Sequence, residues 1–227
     1  IIKEVEILST LNHPSLLKFY GYSSVNFKHE TKPVIITEIS TRQALENIIE
    51  MNRKSIKSKD WNLTQILINI YGIASGMAYL HSKNILHNNL KPSNILIDES
   101  LLPKLADYGL YTKLQILKSI ACQSSSKINN VPIYSAPEVL NSEEVTKASD
   151  VYSFALIVFE MLTKKKPYSN LQTTKDIFFE VVTNCGRPKF PEEEITPYFR
   201  EMIESCWAQN PNERPKFKDI VFALKND

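Results

Sequence analysis

Glycine is scarce in this 227-residue chain. Gly21, Gly72, Gly76, Gly109 and Gly186 are the whole set, where the usual ~7% would give about sixteen. No two lie in the spacing of a glycine-rich phosphate loop, so a Rossmann G-x-G-x-x-G and a P-loop are excluded within these residues. Cysteine is equally sparse. Cys122, Cys185 and Cys206 are odd in number and far apart, with no C-x-x-C pair to suggest a disulfide framework or a zinc site. A reducing, intracellular and cytoplasmic setting is the expectation. Charge of one sign is also lacking: 27 Lys and Arg face 25 Asp and Glu, a net of +2. That is too little to point to nucleic acid or an anionic membrane as partner. The longest apolar run, Val151–Leu162, is broken by Ser153 and Glu160 and is too short to span a bilayer. No signal peptide opens the chain. It starts on Ile1 rather than Met, as a piece of a longer protein does, and any upstream targeting segment is then hidden.

What is present is ordinary for a globular chain of one or two domains: 43% hydrophobic and 23% charged residues, enough to bury a sizeable core. Ile1, Val5, Leu8 and Leu11 share a helical face over residues 1–12, and His13-Pro14 ends it. Leu16–Tyr22 and Val34–Glu38 read as an antiparallel strand pair with a loose connection. A short helix is expected over Gln43–Met51. Leu63–Leu80 carries apolar residues at spacings of three and four, and Asn62 with Gln65 resembles a capping box. Asn94–Ile97 and Lys104–Ala106 look like a hairpin turning at Asp98–Pro103. Residues 110–133 are polar and aperiodic, and a loop of that length inside a domain is usually functional. Val151–Leu162 is apolar almost all round, the pattern of a central buried helix. Helices are expected over Thr174–Asn184, Pro197–Trp207 and Phe217–Leu224. Trp207, at helical spacing from Ile203, belongs to the core. Lys164-Lys165-Lys166 follows a helix end and reads as a solvated run favourable to the helix dipole.

The chemistry concentrates in three places. Ile85-Leu86-His87-Asn88-Asn89-Leu90-Lys91-Pro92-Ser93-Asn94-Ile95-Leu96 lies between the long helix and the hairpin. Asp107-Tyr108-Gly109 begins thirteen residues after Asn94, and Ala136-Pro137-Glu138 follows the polar loop. Each motif alone is weak, but their order and spacing resemble the signature set of eukaryotic protein kinases, H-R-D-L-x-x-x-N, D-F-G and A-P-E. The Cys206-Trp207 and Asn212-Glu213-Arg214-Pro215 ending is similar to tyrosine-kinase-like kinases, whereas Lys91 two positions after Asn89 is the Ser/Thr-type choice.

This resemblance covers essentially the whole chain. It implies an α+β, protein-kinase-like bilobal fold: a partial N-lobe with an incomplete sheet over 1–40 and a mainly helical C-lobe over 41–227. It also implies ATP and Mg as cofactors, since phosphoryl transfer needs metal-bound phosphates and an aligned hydroxyl. Asp107 and Asn94 offer the oxygen ligands Mg²⁺ prefers, and Lys91 would offset charge on the migrating phosphoryl group. Glu4 falls where the family has the glutamate that pairs with the strand lysine. Thr37 resembles the residue guarding the back of the adenine pocket, Glu38–Ser40 the hinge, and Leu96 another nucleotide contact. His87 is implied to be structural, in an apolar stack with Leu8, Phe19 and Tyr108. Asp150 opens the buried helix, and Arg214 looks like the arginine that pairs with Glu138.

Several positions depart from the family pattern. Asn89 stands at the catalytic Asp position, and an amide has no site that accepts a proton near neutral pH. Asn88 replaces the arginine that clamps a phosphorylated activation loop, so phosphate on Thr112, Ser119 or Ser124–Ser126 has no evident partner there. Val131 replaces a threonine that bonds the catalytic Asp and Lys. Tyr108 replaces phenylalanine, and its hydroxyl needs a partner when buried. The glycine-rich loop and strand lysine would precede Glu4, outside these residues. The resulting expectation is a pseudokinase acting as a protein-interaction or allosteric module, with a protein partner and Mg-ATP as a ligand. The alternative is an active Ser/Thr kinase that tolerates Asn89 and acts on a protein substrate.

Overall fold

The computed structural model describes residues 5, 8–32, 34–40, 42–54, 60–108, 133–171, 173–191 and 195–226. The architecture is α+β, with few strands and many helices. Strands β1 (Phe19–Ser23) and β2 (Val34–Thr37) pair antiparallel, Phe19 opposite Thr37 and Ser23 opposite Val34. An irregularity between Phe19 and Gly21 swings Tyr20 outward, as an extra residue in one strand of a ladder does. No residue of either strand is fully buried. Tyr20, Ile36, Phe27 and Ile39 are all exposed, Phe27 at 89% and Ile39 at 86%.

Helix α1 covers Leu45–Arg53 and buries Leu45 and Ile49. It starts two residues later than its periodicity suggests. The carbonyl of Gln43 accepts from the Ile97 amide, and Ala44 bridges to Leu96, so the backbone is held extended until Leu45. Helix α2 spans Leu63–Ser82, with the Asn62 side chain accepting from the Gln65 amide at 3.0 Å. That bond satisfies one of the orphan donors of the first turn. Two of the five glycines sit in α2 because other elements approach closely. A Cβ at Gly72 would lie 2.6 Å from Pro103, and one at Gly76 2.9 Å from Leu105. By length and composition α2 could cross a membrane, but Ile66, Ile70, Ile73, Ala74, Met77 and Leu80 are buried inside the fold.

Strands β3 (Ile95–Ile97) and β4 (Pro103–Leu105) form the expected hairpin. Asp98 closes its turn, Oδ1 accepting from the amides of Ser100 and Leu102. Leu105 also exchanges backbone bonds with Ser15 and Leu17, joining the N-terminal segment to the helical part. Then come α3 (Pro137–Leu140), α4 (Lys147–Thr163), α5 (Thr174–Phe178), α6 (Pro197–Cys206) and α7 (Phe217–Asn226). Helix α4 is buried along nearly its whole length, the position its apolar pattern requires. The single helix expected over Thr174–Asn184 is instead α5 followed by a π-helical stretch, Phe179–Thr183. The N-terminal helix also stops earlier than expected: 8–10 are helical, whereas Leu11 and Asn12 are not. Trp207 is 5% exposed and Ile203 fully buried, so both belong to the core as expected.

Candidate functional site

The loop Ile85–Leu90 takes its shape from Asp150, in the first turn of α4 and 2% exposed. Its Oδ2 accepts from the His87 amide at 2.9 Å, and its Oδ1 accepts from the Asn88 amide at 3.0 Å. The His81 ring, at the end of α2, bonds Oδ2 at 2.9 Å. Two of these three donors fix the loop to the buried helix α4, and the third ties in the end of α2. Asn88 adopts φ 64°, a left-handed conformation that asparagine tolerates better than most residues.

From there the chain passes through Asn89 and Lys91, both half-buried, into a 3₁₀ turn, Pro92–Asn94. The Lys91 carbonyl accepts from the Asn94 amide. Asn94 is 8% exposed and donates its Nδ2 to the Asn89 carbonyl at 2.8 Å. This bond settles the orientation of the Asn94 amide: nitrogen toward the loop, Oδ1 on the opposite side. The Ala106 amide bonds the Asn94 carbonyl at 2.9 Å. The hairpin therefore brings Asp107 beside Asn94, across thirteen residues of sequence. Asp107 is exposed, with φ 57°.

Asp107 borders a cavity of about 150 Å³ lined also by Leu8, Leu17, Phe19, Ile35, Thr37 and Tyr108. Tyr108 is 5% exposed, and its hydroxyl donates to the Leu17 carbonyl at 3.0 Å. The buried phenol thus has the partner it needs. Burial, and secondarily the Glu38 charge, push its pKa up to about 12. His87 stands edge-on to this ring, with 6.4 Å between centroids. It is fully buried, and burial holds its pKa below the ordinary value. Its ring nitrogens meet no hydrogen-bond partner among the described residues. His87 is therefore a neutral packing plate in line with Tyr108, while Leu8 and Phe19 border the same cavity.

The residues expected at the back of the adenine pocket and the hinge divide. Thr37 lines the Asp107 cavity, but the Glu38 carboxylate turns to the other side. There it accepts from the Lys18 amide at 3.0 Å and lies 3.4 Å from Lys104. The Ser40 hydroxyl is engaged with the Ile97 carbonyl at 2.8 Å, and Leu96 is half-buried in β3. Glu4, Gly109, Asn130 and Val131 lie outside the described residues, as do Cys122 and the serines and threonine of the polar loop.

Glu138 in α3 and Arg214 form a buried bidentate pair at 2.7 and 2.9 Å. Ser149 also donates to Glu138, and Arg214 donates to the carbonyls of Ala148, Ala208 and Gln209. The A-P-E segment is thereby clamped onto α4 and the loop before α7.

Two features escaped the sequence reading. His81 gives no local signal, since it falls within the apolar pattern of α2. Glu160 does give one, an acid inside an otherwise apolar run. It is 5% exposed, takes the Tyr134 hydroxyl on Oε2, and receives Arg53 on Oε1 at 2.8 Å.

A short β-hairpin carrying an exposed aspartate, a loop fixed by a buried carboxylate, and an Arg–Glu clamp behind them define a protein-kinase-like domain. The chain belongs to the protein tyrosine and serine/threonine kinase family, whose model matches residues 1–224. It is 33% identical over 98% of its length to "Dual specificity protein kinase shkC" of Dictyostelium discoideum, covering 42% of that protein. It is 33% identical over 99% of its length to "Serine/threonine-protein kinase CTR1" of Arabidopsis thaliana, covering 26%. With "Tyrosine-protein kinase receptor svh-2" of Caenorhabditis elegans it shares 31% identity over 99% of its length, covering 20%. The chain thus spans less than half of each of these relatives, and their names divide among three acceptor specificities.

Proposed function

We propose that this chain is a catalytically impaired kinase domain that acts as a protein-interaction or allosteric module and retains Mg-ATP as a ligand. The observation behind the first part is Asn89. The loop around it keeps its frame through Asp150, yet an amide occupies the place of the proton acceptor. General-base assistance is worth typically ~10²–10⁴ in rate, about 3–5 kcal/mol of barrier. Because phosphoryl transfer relies mostly on positioning and electrostatics, a trace of activity is compatible with this loss.

The second part rests on donor chemistry. Asp107 presents an exposed carboxylate at the cavity mouth, and the Asn94 amide is oriented by Asn89 with its oxygen away from the loop. Two such oxygens suit a hard divalent cation. When bound, Mg-ATP would supply the transferable phosphoryl group. Asp107 and Asn94 would hold its cation, and Lys91 would face its phosphates.

The retention of Asp107, Asn94 and Lys91 together supports a second reading, an active Ser/Thr kinase that tolerates Asn89. Phosphate transfer to protein by the full-length protein separates the two. The impaired domain shows little or none, and Asn89→Asp raises the rate by orders of magnitude. Turnover like that of ordinary kinases, abolished by Asp107→Ala and only modestly raised by Asn89→Asp, would refute the first reading. Mg-ATP binding is tested by melting temperature, since a ligand specific to the folded state raises it. No shift at saturation discards the nucleotide.

A further inference from the structure

The net charge of the chain is +2, but the positive charge is not evenly spread. The C-terminal end of α1 and the residues after α4 meet in space: the Arg53 Nε donates to the Lys164 carbonyl at 2.8 Å. Lys164, the C-cap of α4, has φ 57°, which turns the chain sharply there. Lys164, Lys165 and Lys166 are all exposed, and the Lys54 side chain is 65% exposed. Lys166 is also close enough to act on the Glu160 carboxylate, lowering its pKa against the larger, raising effect of burial. The carboxylates facing this cluster are Glu160, buried and held by Arg53, Glu50, which pairs with Arg53 and Lys54, and Glu46, close enough to act on the Tyr134 hydroxyl. Arg53, Lys54 and the three lysines against Glu46, Glu50 and Glu160 leave a local excess of two positive charges. That equals the net charge of the entire chain, gathered in one place. A run that reads as a solvated helix end in sequence is, in space, joined to a second basic element.

We propose that this patch docks an acidic segment of a protein partner, rich in Asp, Glu or phosphorylated side chains. Three observations favour a peptide over other polyanions. None of the large exposed apolar side chains falls within 42–54 or 160–171, so the patch lacks the apolar anchor that strengthens a membrane-surface contact. The small net charge leaves no extended basic field for nucleic acid. The patch is also tied directly to the segment before the A-P-E helix, because Glu160 takes Arg53 on one oxygen and Tyr134 on the other. An acidic chain seated on the lysines would lie beside the Arg53–Glu160–Tyr134 chain of bonds, a route by which a partner bears on the site segment. The inference rests on the reading of the domain as an interaction module, but it requires neither nucleotide nor phosphotransfer.

The experiment is fluorescence anisotropy on the full-length protein without ATP. The probes are a labelled Gly-Ser peptide carrying six glutamates and its glutamine counterpart. Binding of the glutamate probe is expected, weakening steeply with salt. The triple variant Lys54→Gln, Lys165→Gln, Lys166→Gln should weaken it at least tenfold, while Arg53 and Lys164, which hold the scaffold, stay intact. The variant Lys216→Gln, Lys218→Gln, Lys225→Gln removes the same charge from exposed positions elsewhere and should change it less than twofold. Melting curves of both variants should match the parent. Equal weakening by both triples, or equal binding of both probes, overturns the proposal. So does patch-dependent binding to phosphatidylserine vesicles without binding of the glutamate probe. Because ATP is absent, failure here leaves the catalytic and nucleotide readings where their own assays put them.

Discussion

Arg214→Met isolates the clamp behind the site. The guanidinium is completely buried and the Glu138 carboxylate is 6% exposed. Arg214 makes the two bonds to Glu138 and those to three backbone carbonyls, and it stacks 5.1 Å from the Tyr152 ring centroid. Methionine fills much of the volume but supplies none of these donors. Glu138 then keeps Ser149 as its donor and remains a buried, largely uncompensated charge. Breaking a buried pair from one side costs about 3–5 kcal/mol. In a domain of this size each kcal/mol shifts the melting temperature by roughly 2–4 °C, so a drop of roughly 6–20 °C is expected. The measurement is a calorimetric or circular-dichroism melt with a scan-rate check, because irreversible unfolding distorts the midpoint. Adding Glu138→Met should restore part of the loss, since removing both charges removes the desolvation penalty along with the attraction. A fall of less than about 1 kcal/mol for Arg214→Met, or strictly additive losses in the double variant, would show that the pair does not hold the A-P-E segment.

Asp150→Ala should orphan the amides of His87 and Asn88, at roughly 1–3 kcal/mol for each buried donor left unpaired. Hydrogen exchange at those two amides should rise faster than in α4 generally, and unchanged protection would refute the role given to Asp150. Tyr108 is neutral when folded, with its pKa pushed up to about 12, against ~10 when unfolded. Its contribution is therefore full below pH 10 and is lost as pH rises through 12, about 2.7 kcal/mol in all for two units at 1.36 per unit. Tyr108→Phe should lose ~1 kcal/mol at pH 8 from the missing bond to Leu17 but show a flatter alkaline profile; identical profiles would contradict this. Asn62→Ala should cost about 1 kcal/mol in a denaturant melt through the lost cap of α2, and no change would mean the cap is dispensable.

Periodicity made the helices legible where one face or the whole surface is apolar, as in α2 and α4. It misplaced boundaries where tertiary bonds decide. The extended backbone of Gln43–Ala44 belongs to β3 as much as to α1, and nothing local in Thr174–Asn184 announces the π-helical stretch. Order and spacing singled out Asn94, Asp107, Glu138, Asp150 and Arg214 as candidates, and the structure pairs Glu138 with Arg214 and buries Asp150. The direction of the Glu38 side chain was not legible, because it depends on Lys18 and Lys104 from two other segments. The fusion of Lys164–Lys166 with Arg53 was hidden for the same reason, since 111 residues separate the partners of that bond.

Asp150 holds the loop by main-chain amides, which every residue except proline possesses. The bonds that frame the loop therefore do not involve the side chain at 89, whereas the positive φ at 88 favours asparagine. An exchange between asparagine and aspartate at 89 leaves the bonds of Asp150 to the loop in place. The change from asparagine to aspartate is a single-nucleotide step in the genetic code. An architecture of this kind separates the frame of the loop from the chemistry of the residue at 89.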